Sequence, residues 1–157
     1  MKRIISFLSI VCLLLSGCGV LGERIKDPVT FYYIRSDYQE DMMQVIDSEI
    51  RETSGHQGDL TYLLALYSMG PATDDLQSPL PRGTRITPTE HSVNGIVLSL
   101  SGATQEMTDA EFTLAAACLG LTCMELVSEE SITIRAEDRS ITINPKNLML
   151  YRNNQNQ

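Results

Sequence analysis

Long apolar runs are scarce in these 157 residues, and so are histidine, cysteine and positive charge. The one sustained apolar stretch, from Ile4 to Leu15, holds about a dozen residues, whereas crossing a bilayer takes roughly 20. That length falls short of a membrane-spanning helix and suits the core of a secretory signal better than an uncleaved anchor. Only two histidines, His56 and His91, stand beside four cysteines. No quartet at zinc-ligand spacing can be assembled from them, so no metal site is expected. Twelve basic residues face 20 acidic ones, giving a net charge of −8. Such a chain repels nucleic-acid phosphates, and it has no Lys/Arg cluster to hold an anionic lipid surface by charge. No glycine-rich phosphate loop and no Gly-x-Ser-x-Gly nucleophile elbow occurs. Neither histidine has a motif-level partner. With no acid, base, nucleophile or cofactor motif, the chain reads as a non-enzyme without cofactor.

What is present begins at the N-terminus. Lys2 and Arg3 lead into the apolar run, which ends in Leu15-Ser16-Gly17-Cys18. Small residues before a cysteine are what a signal peptidase groove admits, and the string resembles a bacterial lipobox. Residues 1–17 then read as a lipoprotein signal peptide and Cys18 as the lipidation site. Losing Lys2 and Arg3 takes the net charge from −8 to −10. Attachment must therefore come from acyl chains, at about 0.8 kcal/mol per buried methylene. Residues 18–27 form a tether of roughly 30 Å when extended, which places the folded part near the outer face of the cytoplasmic membrane. Residues 28–152 form one domain. The Gln/Asn-rich tail, 153–157, has too little apolar content to pack and is expected to be disordered.

Within the domain, Val29 to Arg35 is β-branched and aromatic and reads as a strand. Residues 42–52 are ambiguous: Met42, Ile46 and Ile50 fit a helical stripe, while Ile46 to Arg51 alternates as a strand, the reading we adopt. Asp59 caps a helix carrying Leu60, Leu63, Leu64, Leu66, Tyr67 and Met69, which Gly70-Pro71 stops. Residues 71–83 form a long proline-punctuated loop, of a kind that carries function or packs as a unit. Two strands, Thr84 to Glu90 and Gly95 to Ser101, flank a turn containing Asn94-Gly95. Thr108-Asp109-Ala110-Glu111 resembles a capping box. The helix that follows, from Phe112 to Val127, is apolar on most faces and demands deep burial or a partner. Glu125, Glu129 and Glu130 near its C-terminus oppose the helix dipole. Cys118 and Cys123, five residues apart in this helix, have α-carbons about 8–9 Å apart, beyond the roughly 7 Å limit for a bridge. Two buried free thiols are favoured over a disulfide. Ser131 to Arg135 and Ser140 to Asn144 close a hairpin. The order β-β-α-β-β-α-β-β predicts an α+β fold, two helices packed on a mixed or antiparallel sheet.

Several strings, taken with this order, resemble the GerMN domain of spore germination and sporulation lipoproteins. The helix end Leu63-Leu64-Ala65-Leu66-Tyr67-Ser68-Met69-Gly70-Pro71 is followed by Leu80-Pro81-Arg82-Gly83-Thr84, then by Gly95 to Ser101 and the step Leu121-Thr122-Cys123-Met124-Glu125-Leu126. The likeness spans about residues 29–150. Two places depart from the family pattern: Ser or Leu stands where an Asp is usual in Leu98-Ser99-Leu100-Ser101, and Arg135-Ala136-Glu137-Asp138-Arg139 lacks the glycine of the last turn. The resemblance implies a ring-building-motif-like sandwich and a non-catalytic module of the cell envelope of a Gram-positive, spore-former-like bacterium. Its expected partners are the membrane, through the lipid, and envelope proteins or further copies of itself. A second reading is a lipoprotein that captures a small molecule between the 71–83 loop and the sheet. His56 and His91 read as surface residues, Asp74-Asp75 as a solvated acidic loop, and Tyr32 and Tyr33 as core and rim packing.

Overall fold

The computed structural model describes residues 25–39, 44–92, 95–127, 131–137 and 139–144. Its elements run β1 (Pro28–Arg35), β2 (Ile46–Glu52), α1 (Leu60–Ser68), β3 (Leu76–Gln77), β4 (Arg85–Ser92), β5 (Gly95–Ser101), a 3-10 turn (Ala103–Glu106), α2 (Asp109–Leu126), β6 (Ile132–Ala136) and β7 (Arg139–Ile143). The fold is α+β. Its strands divide into two sheets, one ordered β2-β1-β3 and one ordered β4-β5-β6-β7. Every pairing is antiparallel except β5–β6. A parallel pair needs a long crossover, and the 18-residue α2 supplies it.

Local chemistry accounts for the boundaries. Asp59 accepts a hydrogen bond from the Tyr62 amide at 3.0 Å and starts α1. Gly70, at φ 86°, ends it, since glycine alone takes that conformation without strain. The Thr108 hydroxyl accepts from the Glu111 amide while the Glu111 carboxylate accepts from the Thr108 amide at 2.8 Å, so the capping box is complete. The β6–β7 turn, which has no glycine in its sequence, uses Glu137 at φ 51°. A left-handed non-glycine residue costs about 1 kcal/mol or more.

The interior is built around α2, which packs against β1, β6 and β7. Phe112, Ala115, Ala116, Cys118, Leu119, Gly120, Thr122 and Cys123 are all buried. These positions cover more than one helix face, as the near-continuous apolar sequence demands. Gly120 permits a close approach to β7: a β-carbon there would stand 2.6 Å from Ile143 Cδ1. From β1, Val29, Phe31 and Tyr33 enter the same core, where Phe31 and Tyr33 each stack on Tyr67 of α1.

β1 pairs with the two-residue β3 only at its C-terminal end, and two buried side chains answer the backbone of Tyr32, midway along the remainder. The Tyr32 amide donates to Thr122 Oγ1 at 3.0 Å. The Tyr67 hydroxyl donates to the Tyr32 carbonyl at 3.0 Å. Both helices thereby seal one strand edge that would otherwise invite pairing.

Candidate functional site

The 71–83 segment is not loose. It contains β3, and Leu76, Pro79 and Leu80 are buried. The Ser78 hydroxyl bonds both the carbonyl and the amide of Leu80 at 3.2 Å, folding the Pro79-Leu80-Pro81 turn on itself. At its base, the Ser36 amide donates to the Asp75 carbonyl at 2.8 Å.

A groove lies on each side of this segment. One, of about 460 Å³, is floored by Ile34, Leu80, Met107 and Leu114, with Glu106 and Glu111 on its α2 side. The other, of similar volume, runs from the end of α1 (Ser68 to Pro71) to Arg82, Gly83 and Thr84. Gln77, Ser78, Leu80 and Pro81 line both. The Glu111 carboxyl is held below its usual range by the Thr108 amide and hydroxyl it accepts from, so it is committed to the helix cap. The first groove therefore combines an apolar floor with polar and acidic margins.

The main polar cluster sits behind the segment and was not foreseen in the sequence. Glu49 and Arg51 of β2 form an ion pair with side-chain exposures of 7% and 13%. Glu49 accepts from the Ala72 amide at 3.0 and 3.1 Å and from the Thr73 hydroxyl at 3.4 Å. Arg51 donates to the carbonyls of Leu66 and Gly70 and to the Tyr33 hydroxyl at 3.2 Å. Its guanidinium also lies 5.3 Å from the Phe31 ring centroid. A cation at the C-terminus of α1 complements the helix dipole, and the pair together clamps the Gly70–Thr73 turn to the sheet. The Tyr33 hydroxyl donates onward to the Tyr67 carbonyl at 3.4 Å, and burial first of all pushes Tyr33 and Tyr67 above the ordinary phenol range. A residue alternation alone gives no sign that a strand's charged positions point inward. The available signal was Gly70-Pro71, which leaves helix carbonyls in need of a donor.

The other expected residues fall as follows. Cys18, the signal segment, the tether up to residue 24 and the tail lie outside the described residues. Cys118 and Cys123 are free and buried, and burial pushes both thiols up to about 12. His56 is exposed, its ring stacked on Tyr62 at a centroid distance of 4.3 Å. His91 falls within β4. Asp74 and Asp75 are exposed. Tyr33 is fully buried while Tyr32 is partly so, its hydroxyl 3.4 Å from Glu125. The exposed Glu125 thus has a partner on β1 at the surface, although its place near the helix C-terminus opposes the dipole. Among the described residues no group of three metal-ligating side chains occurs, and no helix is long and apolar enough to cross a membrane.

No family model and no curated protein matches the chain. Among solved structures, it is similar to a protein provisionally named a lipoprotein, from Clostridium perfringens, at 14% identity and a TM-score of 0.46, over 76% of this chain and 88% of that one. It is also similar to the tandem GerMN domains of the sporulation protein GerM from Bacillus subtilis, at 16% identity and a TM-score of 0.46, over 76% of this chain. The chain spans 42% of the length of that tandem structure.

Proposed function

We propose that this chain is a lipid-anchored, extracytoplasmic protein whose domain is a non-catalytic interaction module of the bacterial cell envelope. One observation carries the non-catalytic part: the buried ionisable side chains are turned to holding the fold. Glu49 and Arg51 are bonded to each other and to backbone, the Tyr33 and Tyr67 hydroxyls donate to carbonyls, and burial raises both thiols to about 12. A thiol at that value is neutral near pH 7 and a poor nucleophile. The anchor rests on Leu15-Ser16-Gly17-Cys18 and on the acidic balance, which leaves acyl chains as the means of attachment. A setting in sporulation or germination follows from the helix–Gly-Pro and Pro-x-Gly-Thr strings read in the sequence.

The test is metabolic labelling with an alkyne-bearing fatty acid. The chain is expected to be labelled and to fractionate with membranes, and Cys18→Ser to abolish both. An unlabelled wild-type chain would remove the basis of the proposal.

The groove of about 460 Å³ beside Leu80 favours one second reading, a small-molecule receptor. Saturable thermal stabilisation by a single class of envelope metabolite would favour that reading over the first.

A further inference from the structure

We infer that the open edge of β2 is a strand-addition surface, and that its occupant is a second copy of this chain, paired antiparallel about Ile50. This rests on the interaction-module reading above and names its partner.

The strand edges of the two sheets are not equally guarded. The open part of β1 is sealed by Thr122 and Tyr67. β4 carries Pro88 and a register irregularity between Pro88 and Glu90, both of which blunt pairing. β7 is only five residues long. β2 spans seven residues without proline or bulge, ends its sheet among the described residues, and pairs with β1 in unbroken register. The Arg35 amide donates to the Val45 carbonyl at 2.9 Å. By the alternation of an antiparallel ladder, odd-numbered β2 residues turn their backbone groups toward β1. Ile46, Ser48, Ile50 and Glu52 turn theirs to the open side. The Asp47 carboxylate takes up the Ser48 amide at 2.8 Å, which is a partial guard at one position. Ile50, in contrast, is 58% exposed at the middle of the edge.

With Glu49 and Arg51 kept in their clamp, the order of charges along β2 fits a second copy best in one register. A two-fold axis at Ile50 places Glu49 opposite Arg51 of the second copy, and Arg51 opposite its Glu49. It brings the two Ile50 side chains together and sets Ser48 opposite Glu52. Centring on Ser48 would oppose Asp47 to Glu49. Centring on Glu49 or Arg51 would oppose each to its own like charge, which destabilises a pair. The Ile50 register alone alternates sign across the seam while pairing residues whose backbone groups both face outward. Anchoring every copy to one membrane raises their effective concentration, so a seam of modest area suffices.

Cysteine substitution in the full chain, in the membranes of a producing bacterium, tests this. Cys118 and Cys123 are buried and Cys18 is expected to be acylated, leaving the engineered thiol to report. A directly opposed pair has α-carbons roughly 5.5 Å apart, within the range of a disulfide. Ile50→Cys is expected to give an oxidised dimer about ten-fold more readily than Ser48→Cys alone, whose two thiols would sit roughly four residues out of register. Ser48→Cys co-expressed with Glu52→Cys is expected to crosslink between the two chains. Absence of both crosslinks, or equal yield from Ser48→Cys alone, overturns the inference. The same membranes are probed for the fatty-acid label: a labelled chain that never crosslinks sinks the strand seam and leaves the anchored module standing, whereas an unlabelled chain sinks the anchoring.

Discussion

Replacing Arg51 by methionine separates two effects that the clamp combines. Arg51→Met keeps most of the aliphatic stem that lies near Phe31 and Tyr33 but removes the charge. Glu49, with 7% of its side chain exposed, would then be a carboxylate with only the Ala72 amide and the Thr73 hydroxyl to answer it. Breaking one side of a buried pair typically costs about 3–5 kcal/mol, because the remaining charge stays desolvated. The carbonyls of Leu66 and Gly70 lose a donor as well, which places the expected loss in the upper part of that range. In thermal unfolding of a domain this size, that corresponds to a fall in Tm of roughly 10–20 °C. Adding Glu49→Leu removes the stranded charge. The double variant is expected to recover about half of the loss, roughly 2 kcal/mol; because Glu49→Leu alone also strands a charge, the coupling in a double-mutant cycle exceeds that recovery. Chemical denaturation of the four proteins measures this directly. If Arg51→Met costs under about 1 kcal/mol, or if the two substitutions simply add, the pair does not act as a buried clamp.

Three further outcomes are expected. Thr122→Val conserves shape but removes the acceptor that the Tyr32 amide uses at 3.0 Å; it should cost about 1–2 kcal/mol, with faster hydrogen exchange at that amide as the specific readout. Gly120→Ala drives a methyl against Ile143 Cδ1, and a loss of about 1–2 kcal/mol should be largely relieved by Ile143→Val in the same chain; an additive double variant would show that the contact is not the cause. The thiols of Cys118 and Cys123 sit at about 12 in the fold, above their ordinary value, so the stability tied to keeping them neutral is complete below that ordinary value and is lost as the pH rises toward 12. A Cys118→Ala/Cys123→Ala chain should accordingly show a shallower fall in Tm than the wild type from pH 9 upward, and equal slopes would count against burial as the cause.

Much of the fold could be read from the chain because its local signals and its packing agree. Asp59, the Thr108–Glu111 box and Gly70-Pro71 mark helix ends by hydrogen-bonding needs that any environment must meet; both helices begin, and α1 ends, within a residue or two of those marks. The apolar wrap of α2 required a surround, and burial on several faces supplies it. What did not show was division of the strands. Whether β1 and β5 share a sheet depends on contacts between residues more than 60 positions apart, and both strands have the same alternating chemistry. β3 was hidden for a different reason. Two residues, Leu76 and Gln77, are too few to carry a period, and they become a strand only because the end of β1 offers them a ladder.

β2 is the instructive case. Its alternation of Ile46 and Ile50 with charged and polar residues identified a strand, and the usual expectation would turn the isoleucines inward. The register does the reverse: Glu49 and Arg51 lie opposite Phe31 and Val29, whose side chains enter the core, while Ile50 lies opposite Thr30. A one-residue slip would restore the ordinary arrangement at the price of the clamp. It would strip the Gly70–Thr73 turn of the carboxylate and guanidinium that now receive it, and a helix end with unanswered carbonyls costs more than one half-exposed isoleucine gains by burial. The clamp therefore sets the register. The exposed Ile50 follows from that choice, at the centre of the strand whose edge lies open, so the feature that fixes the turn beside the groove also shapes the surface inferred to receive a second copy.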